Sequence, residues 1–294
     1  MTYLVLGVLF GSLTVVGYKL AAQNRYRRVS ILAVERITIV LVLLALIPFI
    51  SGYAFDPAVL WVSLLAATTV LLARLLLLKA LTLGPAPVVW TTLNLSVSIP
   101  VLASIIFWHE TPEPLQVVGL ALVPASVLLM RQRELVKNGA EASDAAHRNP
   151  DPHDRSAGPL LFLTLACFVV EGIFATTFLL IKELNLADSR NLFLVTYNVM
   201  AGILAVGWLV HVRRRPSRTE ILTGMFNGLF IGLSAIFCML AILAMASMVF
   251  YPVATVLGIC FGLALLWLGF RERPSPRQWV GVTLGVVAIA LISV

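Results

Sequence analysis

Long apolar stretches recur along the whole of this 294-residue chain. Residues 31–50 and 58–82, for example, match or exceed the roughly 20 residues with which an α-helix crosses the hydrocarbon core of a bilayer. A membrane-spanning β-strand would alternate apolar and polar residues over about ten positions, whereas the run from Ile39 to Ile47 is apolar at every position. The stretches therefore predict transmembrane helices.

The composition supports the same interpretation, since 60% of the residues are hydrophobic and only 12% are charged. Soluble globular chains are about 45–50% apolar and about 25% charged, so this chain has too little polar surface to face water. A soluble domain and a disordered chain are both excluded. The pattern predicts ten spans, near residues 2–22, 31–50, 58–82, 87–108, 115–131, 159–181, 191–212, 221–246, 249–269 and 277–294.

One long polar stretch, residues 131–158, interrupts the apolar pattern. It contains five basic and five acidic residues together with Pro150 and Pro152, and such a composition cannot bury a core. We predict a flexible linker over residues 132–158, which separates a first five-helix unit (1–131) from a second (159–294).

The two units repeat each other. Residues 108–119 align with residues 270–281 at a constant offset of 162, with identical Glu, two Pro, Gln, Val and Gly. Each unit also opens with a helix that ends near a lysine, Lys19 and Lys182. An odd number of spans per unit turns the second copy upside down in the membrane. The predicted fold is all-α and integral to the membrane, with ten helices in two inverted five-helix repeats.

Basic residues are distributed unequally between alternate connections. Seventeen of the 21 lysines and arginines fall in the connections after the odd-numbered spans, and only Lys182 and Arg190 fall on the other side. Because cytoplasmic loops are enriched in Lys and Arg, we predict a multi-pass cell-membrane protein with a cytoplasmic linker and exterior termini. The net charge of +7 then reflects orientation and contact with anionic lipid headgroups, and no nucleic-acid partner is expected.

Several short motifs carry a family resemblance. The first half resembles the EamA-like family of the drug/metabolite transporter superfamily through Phe10-Gly11-Ser12, Lys19, Arg36, Lys79-Ala80-Leu81, Gly84-Pro85-Ala86, Pro100, Glu110, Gln116 and Gly119. The second half repeats the pattern through Pro252, Glu272-Arg273-Pro274, Gln278 and Gly281. The resemblance implies two inverted five-helix repeats, a central cavity, and export or exchange of small metabolites such as amino acids.

The chain departs from the family pattern in two respects. Members of the family usually keep both termini in the cytoplasm, against the distribution of basic residues in this chain. The aromatic residues that usually precede the Ala-Leu pair of the third helix are replaced by Leu78 and Lys79, so the resemblance does not extend to a preference for aromatic amino acids.

Ionisable residues inside a bilayer are costly and mark candidate functional sites. Glu171 lies near the middle of its predicted span, with no basic residue within one helical turn. A low dielectric favours the neutral form of a carboxyl group. We therefore predict that Glu171 exchanges a proton as the site opens to either side, the alternative being a hydrogen bond to a neighbouring helix.

Basic and paired residues supply further candidates. Arg74 lies roughly 9–13 Å from the basic end of its helix, where it either contacts substrate or extends to the lipid headgroups. The resemblance implies that Lys79 lines the central cavity and contacts an anionic substrate group. Glu35 and Arg36 are adjacent, so they diverge on the helix, and we predict that each pairs with another helix in a structural role. Glu110 and Glu272 are predicted to hold the hairpins together.

Neutral polar residues complete the predicted substrate site. Asn94 and Asn198 lie near the middle of spans in different repeats, where amide side chains bind substrate or join helices. The remaining candidates are Trp90, Tyr197, Asn227 and Tyr251, of which Trp90 and Tyr251 are alternatively interfacial anchors.

No nucleophile elbow, metalloprotease motif, phosphate-binding loop or dinucleotide fingerprint is present, so we predict neither an enzyme nor a cofactor or metal. The predicted function is secondary active transport of a small polar or zwitterionic metabolite by alternating access, with protons as a candidate coupling ion. The alternatives are an uncoupled uniporter or exchanger of a polar or cationic metabolite and a non-transporting membrane scaffold. Either a monomer or a homodimer is compatible with the sequence.

Overall fold

A computed structural model describes residues 2–46, 54–109, 111–130, 157–213, 215–244, 247–272 and 274–292. Every regular element in those ranges is helical. The helices are α1 (Thr2–Gln23), α2 (Arg28–Leu46), α3 (Pro57–Ala80), α4 (Ala86–Leu95), α5 (Ser98–Phe107), α6 (Pro114–Met130), α7 (Ala157–Glu183), α8 (Arg190–His211), α9 (Arg218–Ala244), α10 (Ser247–Phe270) and α11 (Pro276–Ile292), with a single 3₁₀ turn at Ala187–Ser189.

Seven helical stretches in the described residues are long and apolar enough to cross a membrane: α1, α3, α4 with α5, α7, α8, and the greater parts of α9 and α10. The helices α6 and α11 are equally apolar but shorter, with 17 residues each, and α2 carries Glu35 and Arg36. Helices occupy each of the ten predicted segments. The predicted linker falls almost entirely on residues 131–156, outside the described ranges.

The predicted span over residues 87–108 is divided into α4 and α5. Pro100 has no backbone N–H, and a proline ring clashes with the carbonyl group four residues earlier in a continuous helix. The carbonyl oxygen of Ser96 instead accepts a hydrogen bond of 3.0 Å from the Ile99 N–H. The Ser98 hydroxyl donates to the Leu95 carbonyl oxygen over 2.9 Å. The break therefore replaces the lost helical bond with tighter local ones.

The main helix contacts join the first half of the chain to the second. Helix α1 packs against α9 and α10, α2 against α8 and α9, and α3 against α7 and α8. Helix α4 packs against α7 and α10, and α6 packs against α11. The hydrophobic core therefore lies between the halves and not within either of them.

Small residues bring three of these helices close together. A Cβ atom added at Gly228 of α9 would lie 2.6 Å from the Glu35 carbonyl oxygen of α2, and one added at Gly11 of α1 would lie 2.9 Å from the Ser234 hydroxyl of α9. Small residues four apart allow this close approach in membrane helices. We refer to α1, α2 and α9 as the first group, and to the corresponding set α3, α7 and α8 as the second group.

Candidate functional site

Two of the ion pairs among the described residues lie within the two helix groups, one in each. Glu35 and Arg36 of α2 are buried, with 0% and 2% of their surfaces exposed. Arg74 of α3 and Glu171 of α7 form the second pair, with side chains 17% and 14% exposed. Buried charges are tolerated where they are paired and hydrogen-bonded, and each group contains one such ion pair.

The first pair lies on α2 and forms hydrogen bonds with side chains of α1 and α8. The Arg36 guanidinium donates from Nη2 to Glu35 Oε1 over 3.1 Å and from Nη1 to Asn198 Oδ1 over 2.9 Å. The Tyr18 hydroxyl donates to Glu35 Oε2 over 2.8 Å. Glu35 and Arg36 also pair with each other, although adjacent residues diverge on a helix. The prediction that they also pair with other helices agrees with the contacts to Tyr18 and Asn198.

The second pair is formed by residues 97 positions apart in the chain. Arg74 Nη2 lies 3.2 Å from Glu171 Oε1, and Arg74 Cζ lies 6.0 Å from the centre of the Tyr18 ring, within the range of a cation–π contact. Glu171 therefore has a basic partner, which its own helix does not supply. Arg74 is directed into the bundle toward Glu171 and not to the lipid headgroups.

Three atoms of these ion pairs lack a hydrogen-bond partner among the described residues. They are Arg36 Nε, Arg74 Nε and Glu171 Oε2, all buried. A buried polar group left unpaired costs about 1–3 kcal/mol. Two N–H donors and one carboxyl oxygen of these ion pairs are therefore available to a further partner.

Asn198 and Tyr197 lie beside these ion pairs on α8. Asn198 Oδ1 accepts from Arg36, and its Nδ2 donates to the Leu194 carbonyl oxygen over 2.8 Å. The Tyr197 ring packs against Phe193, with ring centres 5.2 Å apart, and also against Phe174 and Phe178. The two candidates on α8 therefore differ in role. Asn198 is a hydrogen-bond acceptor for Arg36, and Tyr197 belongs to an aromatic cluster.

Asn227 of α9 is fully buried against Gly17 of α1, and neither its Oδ1 nor its Nδ2 has a partner among the described residues. It lies in the first group, on the face of α9 that contacts α1. The structure therefore keeps Asn227 inside the bundle, in a contact that only a glycine at position 17 permits.

Trp90 and Asn94 face α10 instead. Trp90 Nε1 donates to the Gly258 carbonyl oxygen over 3.1 Å, and Asn94 Nδ2 donates to the Trp90 carbonyl oxygen over 2.9 Å. A Cβ atom at Gly258 would lie 3.2 Å from Asn94 Oδ1. None of the hydrogen bonds described for these two residues involves the ion pairs.

Lys79 is exposed in the last turn of α3 and takes no part in the ion-pair cluster. A lysine in this position stabilises the negative end of the helix dipole. The side chain of Tyr251 and the whole of Glu110 lie outside the described residues.

Glu272 was predicted to hold a hairpin, but its described contacts reach other helices. Its Oε1 lies 2.6 Å from Lys19 Nζ of α1, and its Oε2 accepts from the Ala86 N–H of α4 over 3.1 Å.

Tyr18 is a residue of the cluster that the sequence did not predict. A single tyrosine near the end of an apolar helix gives no signal of its own. A signal for the Arg36–Asn198 contact was available, because the two residues are 162 positions apart, the offset of the internal repeat.

The described residues contain no group of three or more His, Cys, Asp or Glu that could hold a metal ion.

Comparison with known proteins agrees with this membrane architecture. No curated protein matches the chain, but 26 solved chains match. One of these, described only as "Crystal structure of protein", is 16% identical with a TM-score of 0.59 and covers 97% of this chain and 95% of its own length, which shows a shared fold. The profile of the EamA-like transporter family matches residues 1–132 and 158–294. The chain belongs to the EamA-like transporter family, as its sequence motifs predicted, and is a multi-pass membrane protein.

Proposed function

We propose that this protein is a secondary active transporter that moves a small polar or zwitterionic metabolite across the cytoplasmic membrane by alternating access. The observation that carries the proposal is the pair of buried ion pairs at the contact between the two helix groups. Intramembrane charges are costly and mark substrate or ion pathways. The unpartnered atoms of Arg36, Arg74 and Glu171 form the proposed substrate contacts.

The packing supports an inverted repeat as the basis of the transport cycle. An exchange of the two halves pairs α1 with α7, α2 with α8, α3 with α9, α4 and α5 together with α10, and α6 with α11. Under this exchange, the contact α1–α9 becomes α7–α3, α2–α9 becomes α8–α3, and α1–α10 becomes α7–α4 or α7–α5. All of these contacts occur, and α2–α8, α4–α10 and α6–α11 map onto themselves. Inverted-repeat transporters place their substrate site near the midplane, between the repeats.

The Arg36–Asn198 hydrogen bond supports the location of that site. The two residues occupy equivalent positions in the two repeats, since their separation of 162 equals the repeat offset. Equivalent positions approach each other only close to the axis that relates the repeats. We therefore place Arg36 near the pseudo-two-fold axis, which in an inverted repeat lies in the plane of the membrane.

The charges of the site favour a substrate that carries both signs. Arginine recognises carboxylates through its planar N–H donors, so Arg36 and Arg74 suit an anionic group of the substrate. The free Oε2 of Glu171 suits an ammonium group, or a proton if transport is coupled to one. A zwitterion such as an amino acid matches both. Lys79, which the sequence analysis included, is replaced in this role by Arg36 because Lys79 is exposed.

Transport from liposomes tests the proposal. Proteoliposomes are loaded with a mixture of proteinogenic amino acids, and their release is followed by mass spectrometry with and without a pH gradient. We expect release by the wild type and a loss of about tenfold or more in Glu171→Gln, because a hydrogen bond to a charged group contributes about 1.5–3 kcal/mol and 1.4 kcal/mol is a factor of ten. Lys79→Gln, which alters an exposed residue, is the control and should keep the wild-type rate.

Each other outcome selects an alternative. Equal transport by Glu171→Gln and wild type at every pH would remove Glu171 from the mechanism. Release that is indifferent to the pH gradient indicates an uncoupled uniporter or exchanger. If the wild type releases no member of the panel and none of a second panel of polar and cationic metabolites, the scaffold alternative replaces the proposal.

A further inference from the structure

The described residues pack differently at the two ends of the helix bundle. We call the basic end the one that carries the end of α1, the beginnings of α2, α4 and α7, and the ends of α3 and α10. There, one apolar cluster contains buried residues from both groups and from α4 and α10. We refer to this cluster as the seal; its members are Val15, Tyr18, Ala21, Ala22, Ile31, Leu32, Leu77, Leu78, Ala80, Leu81, Ala86, Val89, Trp90, Leu93, Leu163, Cys167 and Leu266.

At the opposite end, two of the described apolar clusters contain residues of the two groups. One contains residues of the second group together with Leu186, and runs from Val59 of α3 to Ala201 of α8. The other contains Leu4 and Val8 of α1, Ala241 of α9 and Phe250 of α10. The two clusters share no residue, so the described packing joins the two groups by an apolar cluster at the basic end alone.

A polar contact accompanies the seal. Lys19 of α1 is 6% exposed and pairs with Glu272 at the end of α10, whose other carboxylate oxygen accepts from the Ala86 N–H at the beginning of α4. A carboxylate at a helix N-terminus is stabilised by the helix dipole. Lys182, which occupies the corresponding place in the second repeat, is exposed. Equivalent lysines are thus buried at one end and exposed at the other.

We infer that the Lys19–Glu272–Ala86 contact is a gate, which holds the basic end of the transporter shut and must open for a substrate to pass that end. This inference rests on the proposed function. The contact ties α1 and α4 of the first half to α10 of the second. Its carboxylate is 26% exposed, so water can solvate it once the ion pair breaks. The three-residue contact and the seal separate together, because Ala86 belongs to both.

Accessibility of a thiol in the seal tests the gate. The three native cysteines are replaced by alanine, and Val89→Cys introduces a thiol of similar size at a buried position of the seal. Its reaction with a water-soluble methanethiosulfonate reagent is followed in nanodiscs without substrate. We expect slow labelling with the gate intact and labelling at least about tenfold faster with Glu272→Gln or Lys19→Met.

Three comparisons separate a gate from a general loss of structure. The double variant Lys19→Met with Glu272→Gln should label no faster than the faster single variant, because both substitutions remove one contact. Lys19→Arg keeps the cation and should stay protected. Lys79→Met alters an exposed lysine at the same end and should have no effect. Unchanged labelling in Glu272→Gln, effects that multiply in the double variant, or equal acceleration by Lys79→Met would each overturn the inference.

The labelling experiment and the liposome experiment fail independently. Thiol labelling is measured without substrate and needs no transport, so a protein that moves no metabolite still reports whether the contact keeps the basic end closed. If transport is observed but labelling does not depend on Glu272, the gate is wrong and the transport function stands.

Discussion

Tyr18 connects the two ion pairs at the scale of single residues. Its hydroxyl donates to Glu35 in the first group, and its ring lies beneath the Arg74 guanidinium in the second. A tyrosine suits this place because its body is apolar and its tip is a hydrogen-bond donor. A side chain that carries no charge therefore contacts both ion pairs.

Tyr18→Phe separates the two functions of this side chain. The substitution keeps the ring but leaves Glu35 Oε2 without the donor that now satisfies it, and such a loss costs about 1–3 kcal/mol for a buried group. We expect a lower melting temperature of the purified protein in detergent. Tyr3→Phe, at an exposed position of α1, is the control and should melt like the wild type. Equal melting of Tyr18→Phe and wild type would show that the hydroxyl contributes nothing.

At the scale of helices, the sequence was sufficient to locate the helices along the chain. It was not sufficient to determine which face of each helix contacts which neighbour. Apolar length and polar breaks predicted helices in all ten segments, because the period and length of an apolar run are properties of the local sequence. The division between α4 and α5 depends on how the chain around Pro100 is supported by local bonds. The packing of α9 against α1 and α2 depends on the glycines of α9. The sequence shows that these glycines are four residues apart, but it does not show which helices they contact.

Gly228→Ala tests the close approach of α2 and α9. The added Cβ atom would lie 2.6 Å from the Glu35 carbonyl oxygen and 2.6 Å from Thr38 Cβ, and overpacking of this kind costs about 1–3 kcal/mol. We expect a lower melting temperature. Gly207→Ala in α8, where nothing lies within 4 Å of the added atom, should be neutral or slightly stabilising, since alanine favours helix over glycine by about 1 kcal/mol. The same effect in both variants would contradict the packing argument.

At the scale of the whole molecule, two features of the sequence predict opposite orientations in the membrane. The distribution of basic residues predicts exterior termini, and the family habit predicts cytoplasmic ones. The structure adds that the ends of α1 and α10 and the beginning of α4 meet at one end of the bundle. These segments adjoin three of the five connections that carry the seventeen basic residues, so their contacts favour a common side for those three connections.

A reporter fusion decides the orientation. A fluorescent protein that matures only in the cytoplasm is fused after Val294 or inserted into the linker at residue 140. We expect bright cells with the linker insertion and dark cells with the terminal fusion, because seventeen basic residues hold the linker side in the cytoplasm. Immunodetection confirms equal expression. The reverse pattern of fluorescence would contradict the topology and support the family habit.

The sequence alone determined that this chain is a helical membrane protein, and it identified the family. These properties depend only on the order of residues along the chain, through the length of apolar runs and the spacing of matching residues. Only the tertiary structure decided which charges meet. Position along a helix sets the depth and angle of a side chain, but its partner is set by the helix that packs against it, as Arg74 with Glu171 and Lys19 with Glu272 demonstrate.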